Sequence, residues 1–219
     1  MKISKILLLT FFLLAELQLN NTARAADRVL KKTITDRIKN DSAPLGHWEI
    51  NIEYPILNGT TPAITKINTA IANAASEFQC EENNGDKQFT AEITVLNSNI
   101  LSLKYTDSWY CAGMPQTEGR AGAMTFNLAT GAMIVFDNEV RSSETKKLNK
   151  NINAGLEKAL IKKEVSDECP TPAIGYFYAT EKDIVFVNSS ENEETIQCEV
   201  EYKIPQADME QYLKEDSVL

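Results

Sequence analysis

The sequence predicts an α+β fold, mainly antiparallel sheet with two principal helices packed on it and two disulfides. Several short stretches alternate apolar and polar side chains with period two, which is typical of strands with one buried face. Two longer stretches carry a single apolar stripe at helical spacing. Strand and helix patterns do not alternate regularly, which disfavours a parallel sheet built from βαβ units.

The chain of 219 residues begins with the features of a secretory signal peptide. Lys2 and Lys5 give it a positive start, residues 6–15 form an apolar run, and Ala23 and Ala25 place small side chains before a cleavage site. The apolar run is too short for a bilayer, which needs about 20 residues. We therefore expect cleavage after Ala25, a periplasmic or secreted protein, and no membrane span in the mature chain.

The remaining residues, 26–219, carry 19 basic and 30 acidic side chains, a formal net charge of −11 with histidine neutral. A surface of this charge repels nucleic acid and anionic lipid and attracts basic partners. Solubility alone is the simpler explanation of the charge. The length suits one domain or two closely packed halves.

An even number of cysteines in an exported chain indicates disulfides. The four cysteines are Cys80, Cys111, Cys169 and Cys198. Of the three possible connectivities we favour Cys80–Cys111 and Cys169–Cys198, because each pair brackets contiguous elements and each half could close locally. A zinc site would need paired cysteines at short spacing, and no two cysteines lie within ten residues of each other.

The first predicted elements are two strands and a helix. Residues 29–35 alternate weakly and suit an edge strand, whereas residues 47–54 alternate clearly and form a strand that we expect Pro55 to end. Thr60 or Thr61 can cap the helix that follows, with a proline in its first turn. The apolar stripe of this helix consists of Ile64, Ile67, Ile71, Ala75 and Phe78.

A polar loop over residues 81–87 leads to a strand over residues 89–95. The acids of this loop lack the regular spacing of a calcium site, so a solvated turn is favoured. The next strand alternates from Leu101 onward, which places Trp109 and Cys111 on its inward face.

A loop with two glycines and a proline follows over residues 112–120. Residues 123–127 resume a strand, and a turn returns the chain as a further strand over residues 133–136. Gly131 supplies the positive φ that such a hairpin turn needs.

Ser142 or Ser143 is expected to cap the second helix. The inner face of this helix carries Leu148, Ile152, Leu156, Ala159 and Leu160. Its several lysines suggest anion binding, but a solvated amphipathic helix is favoured. A hairpin over residues 176–187, the longest clean strand over residues 196–204 and a short helix over residues 208–213 complete the chain.

The sequence shows no complete catalytic set. The single histidine, His47, lies on the polar face of its strand, and no Gly-x-Ser-x-Gly elbow is present. Paired cysteines leave no free thiol for Cys–His catalysis. Asp107, inward beside Trp109, is the nearest candidate for a desolvated acid, although a structural hydrogen bond to the loop is favoured. We expect no cofactor, no metal and no enzymatic activity, while a glycosidase-like carboxylate pair stays open.

Four residues at the strand–loop junction are candidates for partner binding: Trp109, Tyr110, Met114 and Arg120. Large, stiff side chains beside a glycine-containing loop are typical anchors of protein interfaces. The parity of Trp109 with Tyr105 favours a core position for Trp109, whereas Tyr110 has the opposite parity and is the better surface anchor.

Several motifs occur in a recognisable order. Residues 110–115 read Tyr-Cys-Ala-Gly-Met-Pro, and residues 124–138 contain Phe-Asn-Leu-Ala-Thr-Gly followed by Ile-Val-Phe-Asp-Asn. With residues 177–186 and 202–205, this order resembles a paired domain of unknown function. That pair is found in the extracytoplasmic part of RsiV-type anti-sigma factors and beside the catalytic domain of PdaC-type peptidoglycan deacetylases. The similarity spans roughly residues 29–213.

The resemblance implies an N-terminal half over residues 26–115, a C-terminal half over residues 116–215 and a tail over residues 216–219. It implies a binding or sensing module of the cell envelope that lacks the deacetylase domain. RsiV-type domains bind lysozyme, a strongly basic protein that an acidic surface would steer. Cys111 and Met114 replace a glycine and a histidine of the family loop, so no role of that histidine transfers to this chain.

The sequence therefore predicts an exported, non-enzymatic domain that binds lysozyme, another basic protein or peptidoglycan, and does not bind nucleic acid. One alternative is an enzyme that acts on peptidoglycan or another glycan through paired carboxylates. A passive structural protein of the envelope is a third possibility, marked by the absence of an apolar patch or pocket.

Overall fold

The fold is described from a computed structural model. It describes residues 29–39, 43, 46–80, 84–163, 169, 172–188 and 198–219. The predicted signal peptide, residues 1–25, lies outside these ranges.

Five strands form the first sheet: β1 (Val29–Lys39), β2 (His47–Leu57), β3 (Gly85–Leu96), β4 (Ile100–Cys111) and β5 (Glu118–Asn127). They lie in sequence order across the sheet. β2 and β3 run parallel, and the other neighbours run antiparallel. The parallel step is the place where a crossover is needed, and helix α1 (Pro62–Ser76) supplies it.

Helix α1 begins as the sequence predicts. The hydroxyl of Thr61 accepts a hydrogen bond of 3.3 Å from the backbone N–H of Ile64, and Pro62 occupies the first turn. Ile67 and Ile71 are fully buried against one face of the first sheet, where they meet a cluster of strand side chains. This cluster includes Ile52, Tyr54, Phe89, Leu101, Leu103 and Phe126.

The second sheet has three antiparallel strands: β6 (Ile174–Ala179), β7 (Asp183–Asn188) and β8 (Glu201–Pro205). Helix α2 (Phe136–Glu139) is a single turn, α3 (Thr145–Lys162) is the second principal helix, and α4 (Gln206–Met209) follows β8. Leu148, Ile152 and Leu156 on α3 are fully buried in the second core, as the apolar stripe predicted.

Buried polar side chains join the two sheets. The Ser102 hydroxyl lies 2.7 Å from the Thr125 hydroxyl and accepts a hydrogen bond of 2.9 Å from the backbone N–H of Ala179. Thr94 donates a hydrogen bond of 2.6 Å to the carbonyl of Ala179. Because Ser102 alternates with the α1-facing Leu101 and Leu103, the end of β6 lies on the opposite face of the first sheet.

The predicted fold class is confirmed. Both favoured disulfides are present, with Cα–Cα distances of 5.2 Å for Cys80–Cys111 and 5.6 Å for Cys169–Cys198. Disulfides are typical of proteins that fold outside the cytoplasm. Within the part of the chain that the structure describes, no helix has the length and apolarity needed to cross a membrane. The proposed division at residue 115 stays a prediction; the first sheet continues to Asn127.

Several predicted boundaries are wrong. Pro55 does not end its strand but lies inside β2, opposite Lys31 of β1. The β2–β3 pairing stops at Glu53, so the missing N–H of the proline costs no hydrogen bond to β3. Neither Ser142 nor Ser143 caps α3, because Glu144 occupies the N-cap position.

One predicted strand is reduced to a single bridge, and another is regular over only part of its described residues. Residues 133–136 make one isolated bridge, Phe126–Met133, and the chain turns into α2 instead. The predicted strand over residues 196–204 is regular only from Glu201 to Pro205, and residues 196–197 lie outside the described ranges. Before Glu201, the buried Asn188 side chain takes the place of regular β7–β8 backbone pairing. Its amide donates a hydrogen bond of 2.9 Å to the Cys198 carbonyl and accepts one of 2.7 Å from the Val200 N–H.

Candidate functional site

The four predicted partner-binding residues lie at one end of the first sheet, and all are partly buried. The Arg120 guanidinium lies 5.9 Å from the centre of the Trp109 ring. Tyr110 packs on Trp48 instead, with ring centres 6.1 Å apart. Met114 lies in the turn after β4, where its N–H donates 3.0 Å to the Cys111 carbonyl. The structure therefore joins Trp109 with Arg120, whereas the ring of Tyr110 packs on Trp48.

Arg120 belongs to a network of charged side chains. Its guanidinium donates a hydrogen bond of 2.7 Å to the Glu77 carboxylate and one of 3.1 Å to the Asp107 carboxylate. The second oxygen of Asp107 lies 2.6 Å from the Lys87 ammonium, which also donates to the Glu77 carbonyl. The hydrogen bond and charge of Arg120 lower the pKa of Glu77.

The position of Asp107 argues for a structural role. Its side chain is fully inaccessible and that of Lys87 is 2% exposed, so substrate cannot reach this carboxylate in the folded protein. The pair ties β3 to β4 beside the Cys80–Cys111 disulfide. His47 is partly buried and lies 3.3 Å from Glu49.

A cleft of about 250 Å³ lies between the two sheets. Thr90, Thr106 and Ala121 of the first sheet contribute to its lining. Its charged and aromatic lining comes from both sheets and from residue 199: Glu92, Lys104, Tyr105, Tyr176, Tyr178, Glu199 and Glu201. We call this the inter-sheet cleft. Three carboxylates and one ammonium group give it an acidic lining.

Each tyrosine of β6 is paired with one carboxylate. The Tyr178 hydroxyl donates a hydrogen bond of 2.6 Å to Glu201 Oε1, and Tyr176 hydrogen-bonds to Glu199. Burial raises the pKa of Glu199, because a desolvated carboxylate is less stable than a hydrated one, while the hydrogen bond from Tyr176 opposes this shift. Burial also raises the pKa of Tyr176 and Tyr178, so both hydroxyls keep their protons near neutral pH.

The segment that carries Glu199 is held from several sides. Cys198 is bridged to Cys169, and the buried Asn188 amide binds the backbone on both sides of Glu199. Lys163 at the end of α3 donates 3.0 Å to the Glu199 carbonyl. These contacts fix the direction in which the Glu199 side chain leaves the backbone.

The chemical scope of the cleft follows from these groups. Carboxylates that each accept one tyrosine hydrogen bond still have acceptor sites for a ligand donor, and tyrosine rings offer apolar faces. Among the described residues, no group of three His, Cys, Asp or Glu side chains could hold a metal ion. The arrangement suits a hydrogen-bonding or cationic ligand.

Sequence reasoning missed the cleft. Its residues come from Thr90 to Glu201, and only the fold brings them together. One signal was available: Glu199 and Glu201 alternate with Cys198 and Val200, which places both carboxylates on one face. Nothing in the sequence indicates that this face lies opposite the first sheet.

Comparison with known proteins places the fold. No protein-family model matches the sequence, and no curated protein does. A solved structure of a DUF3298 family protein from Pseudomonas aeruginosa superposes with a TM-score of 0.64 at 8% identity, covering 85% of this chain and 95% of that one. The chain has the DUF3298 fold. A DUF3298 family member from Bacteroides fragilis superposes with a TM-score of 0.58 at 12% identity, covering 86% and 94%.

Proposed function

We propose that this DUF3298-like protein is an exported, non-enzymatic binding or sensing domain whose ligand is a basic protein of the lysozyme type. Its fold supports this, because DUF3298 is the domain of the RsiV- and PdaC-type proteins that the sequence motifs resemble. Two disulfides and the predicted signal peptide suit a protein that works in the cell envelope.

The inter-sheet cleft is the observation that carries the proposal. Its walls hold Glu92, Glu199 and Glu201 against a single Lys104, in a chain whose formal net charge is −9 over its full length. A long-range negative field accelerates encounter with a basic protein, and local carboxylates can then fix its orientation.

Isothermal titration of the purified protein with lysozyme at 150 mM salt tests this function. We expect saturable binding, and weaker binding to lysozyme whose lysines have been acetylated. Binding at low salt that vanishes by about 150 mM would reflect non-specific charge attraction, since exposed charges are screened beyond about 8 Å at that ionic strength. Absence of any complex with lysozyme would end this version of the proposal.

A glycan-acting enzyme is the second candidate. Glu199 and Glu201 line the same cleft, and the raised pKa of Glu199 is what a general acid needs. Incubation with purified peptidoglycan, followed by a reducing-end assay, tests it. Release of fragments that Glu199→Gln abolishes would replace the binding proposal with catalysis.

A further inference from the structure

We propose that the inter-sheet cleft binds one cationic side chain, a lysine or arginine of the partner, between the Glu199 and Glu201 carboxylates and the rings of Tyr176 and Tyr178. This assignment rests on the proposed function and names the place on the surface where it occurs. It differs from the position that the sequence favoured, the strand–loop junction of Trp109, Tyr110, Met114 and Arg120.

The size of the cleft suits a single side chain. Sites for drug-sized ligands enclose about 300–1,000 Å³, and this cleft encloses about 250 Å³. It opens between two sheets, so a side chain can enter while its backbone stays outside. A lysine or arginine has the matching form, since its apolar stem can lie against aromatic faces while its charge reaches polar groups.

The polar groups are arranged for a cation. Tyr178 donates 2.6 Å to one oxygen of Glu201, and Tyr176 hydrogen-bonds to Glu199. Each carboxylate is thereby oriented and keeps acceptor sites for N–H donors. The tyrosine rings can add a cation–π contribution. An arriving cation also offsets the cost of keeping the half-buried Glu199 ionised.

Cations of the chain itself lie near the cleft, and the charges of Lys163 and Lys104 oppose the rise in the pKa of Glu199 without cancelling it. Lys104 lines the cleft and is exposed. Lys163 bonds the backbone carbonyl of Glu199 and not its carboxylate. Lys203 lies 3.3 Å from Glu201, with 57% of its side chain exposed. A pair this exposed contributes little, so a partner cation can displace it.

The construction of the segment before β8 is an independent reason for choosing this cleft. Regular β7–β8 pairing is held by its own backbone hydrogen bonds, but this pairing begins only at Glu201. A disulfide at Cys198 and the buried amide of Asn188 then hold the segment. Departures from regular structure that are held this firmly are typical of functional sites. The side chain that this segment presents to the cleft is Glu199.

A matched pair of double variants tests the inference. Glu199→Gln/Glu201→Gln neutralises the cleft, and Glu157→Gln/Glu181→Gln neutralises two exposed glutamates on α3 and in the β6–β7 turn. Both variants change the net charge equally, so long-range steering falls equally. By titration with lysozyme at 150 mM salt, we expect the cleft variant to weaken binding at least about tenfold and the control less than about twofold, since ten-fold corresponds to one lost charged contact.

The outcomes separate the two proposals. Equal loss in both variants, or no loss in either, overturns the cleft assignment while binding itself stands. If wild-type protein does not bind lysozyme, the proposed function fails, and a second measurement still decides the cleft. Titration of ¹⁵N-labelled protein with Nα-acetyl-lysine methylamide should shift the amide signals of Tyr176, Tyr178 and Glu201, whereas the norleucine analogue should not. Equal shifts with both compounds, or none with either, overturn the inference.

Discussion

Replacing Asp107 by asparagine tests whether the inaccessible carboxylate is structural. Asparagine keeps the shape of the side chain but removes its charge, and its amide group turns a donor toward either Lys87 or Arg120. In the native protein both carboxylate oxygens are used, at 2.6 Å from Lys87 and 3.1 Å from Arg120. Lys87 is almost inaccessible, so water cannot replace the lost partner.

The expected loss in the free energy of unfolding follows from these contacts. Removing one partner of a buried pair costs about 3–5 kcal/mol, because a buried charge is left uncompensated. We expect the lower end, about 3 kcal/mol, since Arg120 is partly exposed and keeps Glu77, and Lys87 keeps the Glu77 carbonyl. Replacing the pair together, Lys87→Met/Asp107→Leu, should recover part of the loss, because neither buried charge remains.

Urea unfolding followed by circular dichroism measures the loss. Glu181→Gln is the control, an exposed turn residue whose change should stay within about 0.5 kcal/mol. A loss below about 1 kcal/mol for Asp107→Asn, or loss of lysozyme binding by a fully folded Asp107→Asn protein, would refute the structural role assigned to this carboxylate.

Three further predictions concern stability. Gly131→Ala should cost more than Gly113→Ala: both glycines have positive φ, +70° and +88°, but a Cβ at Gly131 would lie 2.5 Å from a backbone oxygen whereas Gly113 has open space. Thermal unfolding should show that Gly113→Ala lowers the free energy of unfolding by roughly 1–2 kcal/mol, the cost of backbone strain. Gly131→Ala should lower it by about 1–3 kcal/mol more, because the added methyl group meets the backbone. Equal losses in the two variants would contradict the close packing at Gly131. Replacing Cys169 and Cys198 by serine should lower the free energy of unfolding, measured in urea, by about 3–4 kcal/mol. An unchanged urea midpoint would contradict this contribution of the disulfide. Because burial raises the pKa of Glu199 in the folded state, its ionisation destabilises the fold once the pH rises above the pKa of this group in the unfolded chain. Glu199→Gln should therefore be more stable than wild type at neutral pH, and this gain in stability should shrink on acidification. A gain that grows at low pH would contradict the raised pKa.

The parts of the fold that follow from burial could be predicted from the sequence. Period-two alternation located the strands because each has one face against a core, and the apolar stripe of α1 located the helix that packs on β2 to β5. The Thr61 cap is a local signal and was recognisable for that reason. The disulfide pairing followed from the order of elements along the chain, which the structure confirms.

The parts that depend on distant contacts could not be predicted. At residues 133–136 the alternation of buried and exposed side chains is real, with Ile134 and Phe136 buried, but the pairing with β5 is limited to the Phe126–Met133 bridge before the chain enters α2. The late start of β8, at Glu201, depends on the side chain of Asn188, ten residues from Cys198.

The inter-sheet cleft has the same origin. It exists because Ser102 and Thr94 hold the end of β6 against the first sheet, a contact across 77 and 85 residues of sequence. Aromatic residues beside a glycine-containing loop drew attention to Trp109 and Tyr110. The carboxylates that we propose for partner binding lie elsewhere, on β3, just before β8 and on β8.

A chemical-shift map with lysozyme tests the central claim most directly, because it locates the partner without assuming where it binds. ¹⁵N-labelled protein would be titrated with unlabelled lysozyme at 150 mM salt, and the residues with the largest amide shifts recorded. The account predicts that they surround the inter-sheet cleft, at Tyr176, Tyr178 and Glu201. Shifts centred on Trp109 and Arg120, or a spectrum unchanged at saturating lysozyme, would contradict it.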